Sequence, residues 1–148
     1  YKDLVVDNPT AEADMKTVSD YTNALVSGDL KKAKSLLAKT YMSYGPSSTD
    51  SSDVNQEMAN WEENYTRHSD RKVAFVTQTF KVVSGPQKGS WVSLWGTYTF
   101  TVNAKILTLP IQITSSVSNG KMLKSFVYFD NLAIYQQLGY TLTPPDNE

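Results

Sequence analysis

Two neighbouring stretches, Ser90–Val102 and Lys105–Val117, read SWVSLWGTYTFTV and KILTLPIQITSSV. Each alternates apolar and polar side chains with a period of two, the repeat of an extended strand with one covered face. In the first, Val92, Leu94, Tyr98, Phe100 and Val102 face one way, and Trp91, Ser93, Trp95, Thr97, Thr99 and Thr101 the other. In the second, Leu107, Leu109, Ile111 and Ile113 oppose Thr108, Gln112 and Thr114. Two such apolar rows must be buried under something, and that requirement governs everything else the chain can do.

The cover comes from the N-terminal half. In NPTAEADMKTVSDYTNALVSGD, Met15, Val18, Tyr21 and Leu25 recur at helical spacing behind a Pro9–Thr10 entry, and Gly28 ends the run. Asp29 caps a shorter second helix with Leu30, Ala33, Leu36 and Leu37 turned inward. The segment from Thr40 to Ser52 reads as a Ser/Gly/Pro loop whose large residues are Tyr41 and Tyr44. Asp53 and Gln56 have capping-box spacing, and Val54, Met58, Trp61 and Tyr65 form one stripe of a third helix. From Arg71 the period is two: a strand to Gly85, the two alternating stretches, an SNGK turn, and a last strand from Met122 to Asp130. Pro110 places part of the third strand at an edge or a bulge. Helices followed by long strands predict one α+β domain over residues 1–148, with residues 1–9 and 141–148 extended.

Composition excludes several functions. Fourteen basic and fifteen acidic side chains leave a net charge of −1 without a basic stripe, so nucleic acid is not the expected partner. No apolar run is long enough for a membrane helix. The chain has no cysteine and one histidine, and it lacks phosphate-cradling, dinucleotide, nucleophile-elbow and zinc-helix motifs. No metal or other cofactor is expected. The first residue is Tyr1 rather than methionine, as in a secreted or periplasmic protein after loss of its signal peptide, or at any other chain boundary.

Three stretches carry a family resemblance. YMSYGPSSTDSS, the pair LWGTYTFTV with LTLPIQI, and NGKMLKSFVYFDNLAIYQQLG occur in the order found in the nuclear transport factor 2-like superfamily, also called SnoaL-like or ketosteroid-isomerase-like. The resemblance implies a cone-shaped α+β barrel: three N-terminal helices on a strongly curved antiparallel sheet around a pocket. Members include isomerases, cyclases, hydratases and hydrolases, alongside proteins that only bind or dimerise, so fold is better implied than activity.

On that resemblance Asp130, sharing a strand face with Phe126 and Tyr128, would point into the cone as a general base on a small carbonyl or epoxide substrate. As a residue preceding NLAIYQQLG it equally makes a helix N-cap, and this local reading is favoured. Tyr41, Tyr44, Trp61, Tyr65, Tyr98, Phe126 and Tyr128 are expected to line the pocket. His68, among Arg67, Ser69 and Asp70, reads as a solvated turn, with a position facing the ligand as the alternative. The expected partners are a small apolar or lipid-like ligand and a second copy of the chain. The Thr-rich rows with Trp91 and Trp95 carry no charge, and an exposed strand row normally does. The expectation is a ligand-binding, dimerising module, with catalysis through Asp130 as the alternative.

Overall fold

A computed structural model describes residues 3–146. A short β1 (Val5–Val6) leads into α1 (Ala11–Ser27), then α2 (Leu30–Ser35), β2 (Leu37–Tyr44), β3 (Ser51–Asp53) and α3 (Val54–Arg67). The long strands β4 (Ser69–Val82), β5 (Gly89–Val102) and β6 (Lys105–Ser118) follow, then β7 (Lys121–Tyr128) and α4 (Asn131–Gln137). The seven strands form one sheet in the order β1-β4-β5-β6-β7-β2-β3. It is strongly curled but not closed, with helices against its concave face.

The apolar rows predicted for β5 and β6 form the floor of the core. Val92, Leu94, Phe100 and Leu107 are completely buried, and Leu109 and Val117 nearly so. Val18, Tyr21 and Leu25 of α1 pack with Val92, Leu94 and Val117, and Val26 packs with Phe100, Leu107 and Leu109. Gly28 stops α1 in the left-handed region (φ +93°), with its N–H and that of Asp29 turned back onto Ala24 O. At the other end a buried polar knot fixes α1 to the sheet. Asn8 Nδ2 and Thr10 Oγ1 each donate to Asp14 Oδ2 at 2.7 Å, while Asn8 also holds Thr79 and Ser90. Every polar group in that knot has a partner, which is what lets Asp14 stay in the interior.

Four expectations need correction. The sheet is mixed, because β2 runs parallel to β7. Tyr41 and Tyr44 lie on β2 rather than on a loop, and the loop is the short piece from Gly45 to Asp50. Residues 5–6 form a strand rather than an extended terminus, while the helix expected behind Asp130 is present as α4. Finally, Phe126 and Tyr128 face outward. The β6–β7 register slips between Ser116↔Lys124 and Val117↔Met122, so Leu123 is an extra residue. Beyond that bulge the inward row begun at Met122 continues through Ser125 and Val127.

Candidate functional site

Between α1, α3, α4 and the concave face lies a cavity of about 690 Å³. Its walls are largely apolar, with Leu109 and Ile111 from β6, Val127 from β7 and Phe129 beyond it. The polar groups come from the helices, from β2, from Ser125 of β7 and from residues 49–52, which include the Asp50 carboxylate. Glu57, Asn60, Trp61 and Asn64 line it along one face of α3, and His68 lines it just past that helix. Asp53 caps α3, accepting from Gln56 N–H at 2.9 Å, and so sets the start of this row. The far rim is α4. Gln137 receives Thr108 N–H (3.0 Å) and donates to Thr108 O (3.1 Å), pairing with the stretch of β6 that β7 does not reach.

At one end, Glu57 shares the cavity with Tyr21 and Tyr41. Burial pushes the Glu57 carboxyl up to about 6, the Trp61 indole offsetting part of the rise. Tyr41 is pushed up to about 12, first by burial and then by the Glu57 charge, with the Ser125 and Ser43 hydroxyls pulling it back. Tyr21 is likewise raised, mainly by burial. Its ring stands 6.4 Å from that of Tyr41, and its hydroxyl has no hydrogen-bond partner among the described residues. An unpaired buried hydroxyl costs about 1–3 kcal/mol, which a ligand oxygen or a water would relieve. The chemistry is thus a carboxylate poised near neutrality beside two phenols that stay protonated.

Sequence reasoning missed Glu57 and Tyr21 as site groups. The signal for Glu57 was present: it lies three residues after Val54 and four before Trp61, within the apolar stripe. A carboxylate on a buried stripe is the informative exception.

The predicted residues divide. Tyr41, Trp61, Tyr98 and His68 line the cavity together. His68 is not in a solvated turn: its ring stacks on Phe100 (4.1 Å between centroids) and its Nδ1 is 3.2 Å from Tyr98 Oη. Tyr65 lies beside the cavity, donating to Leu25 O at 2.5 Å under the Arg71 guanidinium. Tyr44 and Phe126 stack on each other on the convex face, and Tyr128 is exposed there. Asp130 is exposed outside the cavity and accepts from Ala133 N–H at 3.0 Å as the N-cap of α4. Its exchange for Asn should therefore leave stability nearly unchanged, whereas Asp130→Ala should cost about 1 kcal/mol by chemical denaturation. Equal effects from both would remove the cap assignment. Among the described residues, no three His, Asp or Glu side chains converge as metal ligands, and no helix is long and apolar enough to cross a membrane.

No family model and no curated protein matches the chain. Solved structures do. PrhC from Penicillium brasilianum superposes with a TM-score of 0.73 at 10% identity over 88% of each chain. A protein assigned as a SnoaL-like polyketide cyclase from Shewanella denitrificans gives 0.68 at 14% identity, over 89% of this chain and 98% of that one. An LEH-like epoxide hydrolase of M. tuberculosis gives 0.62 at 15% identity, over 88% and 92%. At such identities the likeness shows the fold alone, helices on a strongly curled sheet, consistent with the nuclear transport factor 2-like cone.

Proposed function

We propose that this chain is an acid–base enzyme acting on a small, mostly apolar carbonyl compound, with Glu57 as the base. The observation that carries this reading is the Glu57 carboxylate, raised to about 6, sharing an apolar cavity with the unpaired Tyr21 hydroxyl and with Tyr41. Ionised Glu57 would take a proton from the carbon next to a carbonyl. The C–H electron pair becomes the enolate double bond and the carbonyl pair moves onto oxygen, where Tyr21 or Tyr41 donates a hydrogen bond. Return of the proton to another carbon isomerises the substrate; attack of the enolate on a second carbonyl closes a ring. The SnoaL-like cyclase assignment of one structural neighbour fits this chemistry as fold-level analogy.

The test uses 2-tetralone in D₂O, with loss of its α-proton signals followed by NMR. The rate should rise tenfold per pH unit below about pH 6 and level off above it, as Glu57 ionises. A catalysed rate that is flat across pH 5–7, or equal to that in buffer, overturns the assignment and returns the cavity to simple ligand binding.

A second reading, a homodimer joined through the convex face, has its own support. Val76, Trp95, Gln112 and Tyr128 stand side by side across four strands. Gln78, Ser93, Thr114, Phe126 and Tyr44 form the adjoining line. Neither line contains a charge. Val76, Trp95 and Tyr128 are 54%, 44% and 57% exposed, large apolar surface that a second copy would cover. Trp91 does not belong to that surface. It is buried on its own sheet between Phe126 and the Lys124 ammonium, with its indole N–H on Gln87 O. Replacing both Trp95 and Tyr128 with Lys should give a folded monomer in analytical ultracentrifugation. Sedimentation of the unaltered protein as a monomer at high micromolar concentration would end this reading.

A further inference from the structure

We propose that His68 and Tyr98 form a second recognition subsite, remote from Glu57 in the same cavity, which reads a hydroxyl group on the far end of the ligand. The inference rests on the reading of the cavity as a small-molecule site. Glu57 lies in the first turn of α3 and His68 just past its last residue, eleven positions along. Eleven residues of helix rise about 16 Å, so the cavity has two polar poles joined by an apolar floor.

The second pole is built rather than incidental. His68 stacks on the fully buried Phe100, which in turn stacks on Tyr98 at 4.7 Å. The three rings fix one another, and both the imidazole and the phenol line the cavity. Tyr98 Oη is 3.2 Å from His68 Nδ1. Both neighbouring arginines are engaged elsewhere: Arg67, which also lines the cavity, pairs with Glu63 at 3.3 Å, while Arg71 Nε donates to Val26 O, its Nη1 donates to His68 O, and its guanidinium covers Tyr65. Burial, with the charges of Arg67 and Arg71, holds His68 down to about 4, so the ring is neutral through the physiological range.

A neutral imidazole carries one donor and one acceptor, and its bond to Tyr98 can be made in two ways. If the phenol donates to Nδ1, then Nε2–H is a donor and the phenol oxygen still accepts. If Nδ1–H donates to the phenol oxygen, then Nε2 accepts and the phenol O–H is free to donate. In either state the pair presents one donor and one acceptor at once. An alcohol or phenol hydroxyl, itself a donor and an acceptor, complements both; a methyl group in its place leaves two polar atoms unpaired.

The probes are 2-naphthol and 2-methylnaphthalene, which differ only in a hydroxyl against a methyl. Affinities for both are measured with the unaltered protein and with His68→Phe, which keeps a ring to stack on Phe100. Nitrogen chemical shifts of the histidine are recorded alongside, unambiguously because the chain has only one. The expected result is about tenfold tighter binding of 2-naphthol, loss of that preference in His68→Phe, and a shift of the Nε2 resonance with 2-naphthol alone. Should the preference survive in His68→Phe, or vanish instead in Tyr21→Phe with no change at Nε2, the hydroxyl is read at the Glu57 pole. The subsite is then wrong while the cavity reading stands. If 2-methylnaphthalene does not bind either, the cavity reading fails and takes this inference with it. Where His68→Phe does not fold, the Nε2 response in the unaltered protein decides alone.

Discussion

Replacing Glu57 with glutamine should abolish most of the proton-transfer rate and, at the same time, make the protein more stable above pH 6. Loss of a positioned general base removes about 10²–10⁴ of rate. The gain in stability follows from linkage. In the unfolded chain the carboxyl titrates near 4.5, and in the folded protein near 6. Between those values the native state holds more protons, so stability is greatest below 4.5 and falls as pH rises through 6. A shift of that size corresponds to about 1–2 kcal/mol once partial exposure is allowed for. Glutamine keeps the shape without the charge, so Glu57→Gln at pH 8 should unfold at higher denaturant by that amount. Such a gain is the mark of a group kept for function at the expense of the fold. A variant less stable than the parent at pH 8 would mean that the carboxylate holds the structure by contact.

His68 supplies an internal control of opposite sign. Its folded value lies near 4, against 6.5 in the ordinary imidazole. The unfolded chain therefore binds more protons below 6.5, and this contribution is lost as pH falls toward 4. In the parent the two slopes oppose one another between pH 4.5 and 6. In Glu57→Gln only the histidine slope remains, and stability should climb with pH across that window.

What was legible follows the range of the forces involved. The rows of β5 and β6 were readable because one buried face imposes a strict period of two. The helix stripes and the caps at Asp29, Asp53 and Asp130 were readable because capping is settled within four residues of chain. The orientation of Phe126 and Tyr128 was not. It depends on one extra residue, Leu123, and no Gly or Pro marks that bulge. Strand β2 was hidden for a different reason. LAKTYMSY has a polar middle, and it becomes a strand by pairing with β3 on one side and on the other with β7, about eighty residues later in the chain. Placing Tyr41 in the cavity and Tyr44 on the convex face needed that pairing, and so did recognising that Glu57 has phenols for neighbours. The resemblance named the container correctly, but Asp130, which it would turn into the cone, caps a helix outside it, as its local sequence indicated.

Gly96→Ala should strongly destabilise the sheet. Gly96 lies between Trp95 and Thr97 on β5, opposite Phe75 of β4 and Ile111 of β6. Its backbone is not in the left-handed region, so alanine suits the local conformation and the objection is purely steric. A Cβ there would stand 2.0 Å from Ala74 O, 2.6 Å from Phe75 Cα and 2.7 Å from Phe75 Cβ. The first two are backbone atoms of the neighbouring strand, which cannot rotate away. To admit the methyl, β4 must part from β5 where the sheet wraps toward Val73 and Ile111, both in the cavity wall. Overpacking against yielding side chains costs about 1–3 kcal/mol, and here more than about 3 is expected. For a chain of this length that is a fall in Tm of about 10 °C. Gly85→Ala makes the comparison sharp. That glycine has φ +85° and nothing within 4 Å of its Cβ position, so only the strain of the left-handed conformation, about 1–2 kcal/mol, opposes alanine. The expected order by thermal melting is parent above Gly85→Ala above Gly96→Ala, with the cavity's affinity for 2-methylnaphthalene lowered only in the last. If Gly96→Ala melts with the parent, the strands separate freely at this point, and their close approach does not hold the wall of the cavity.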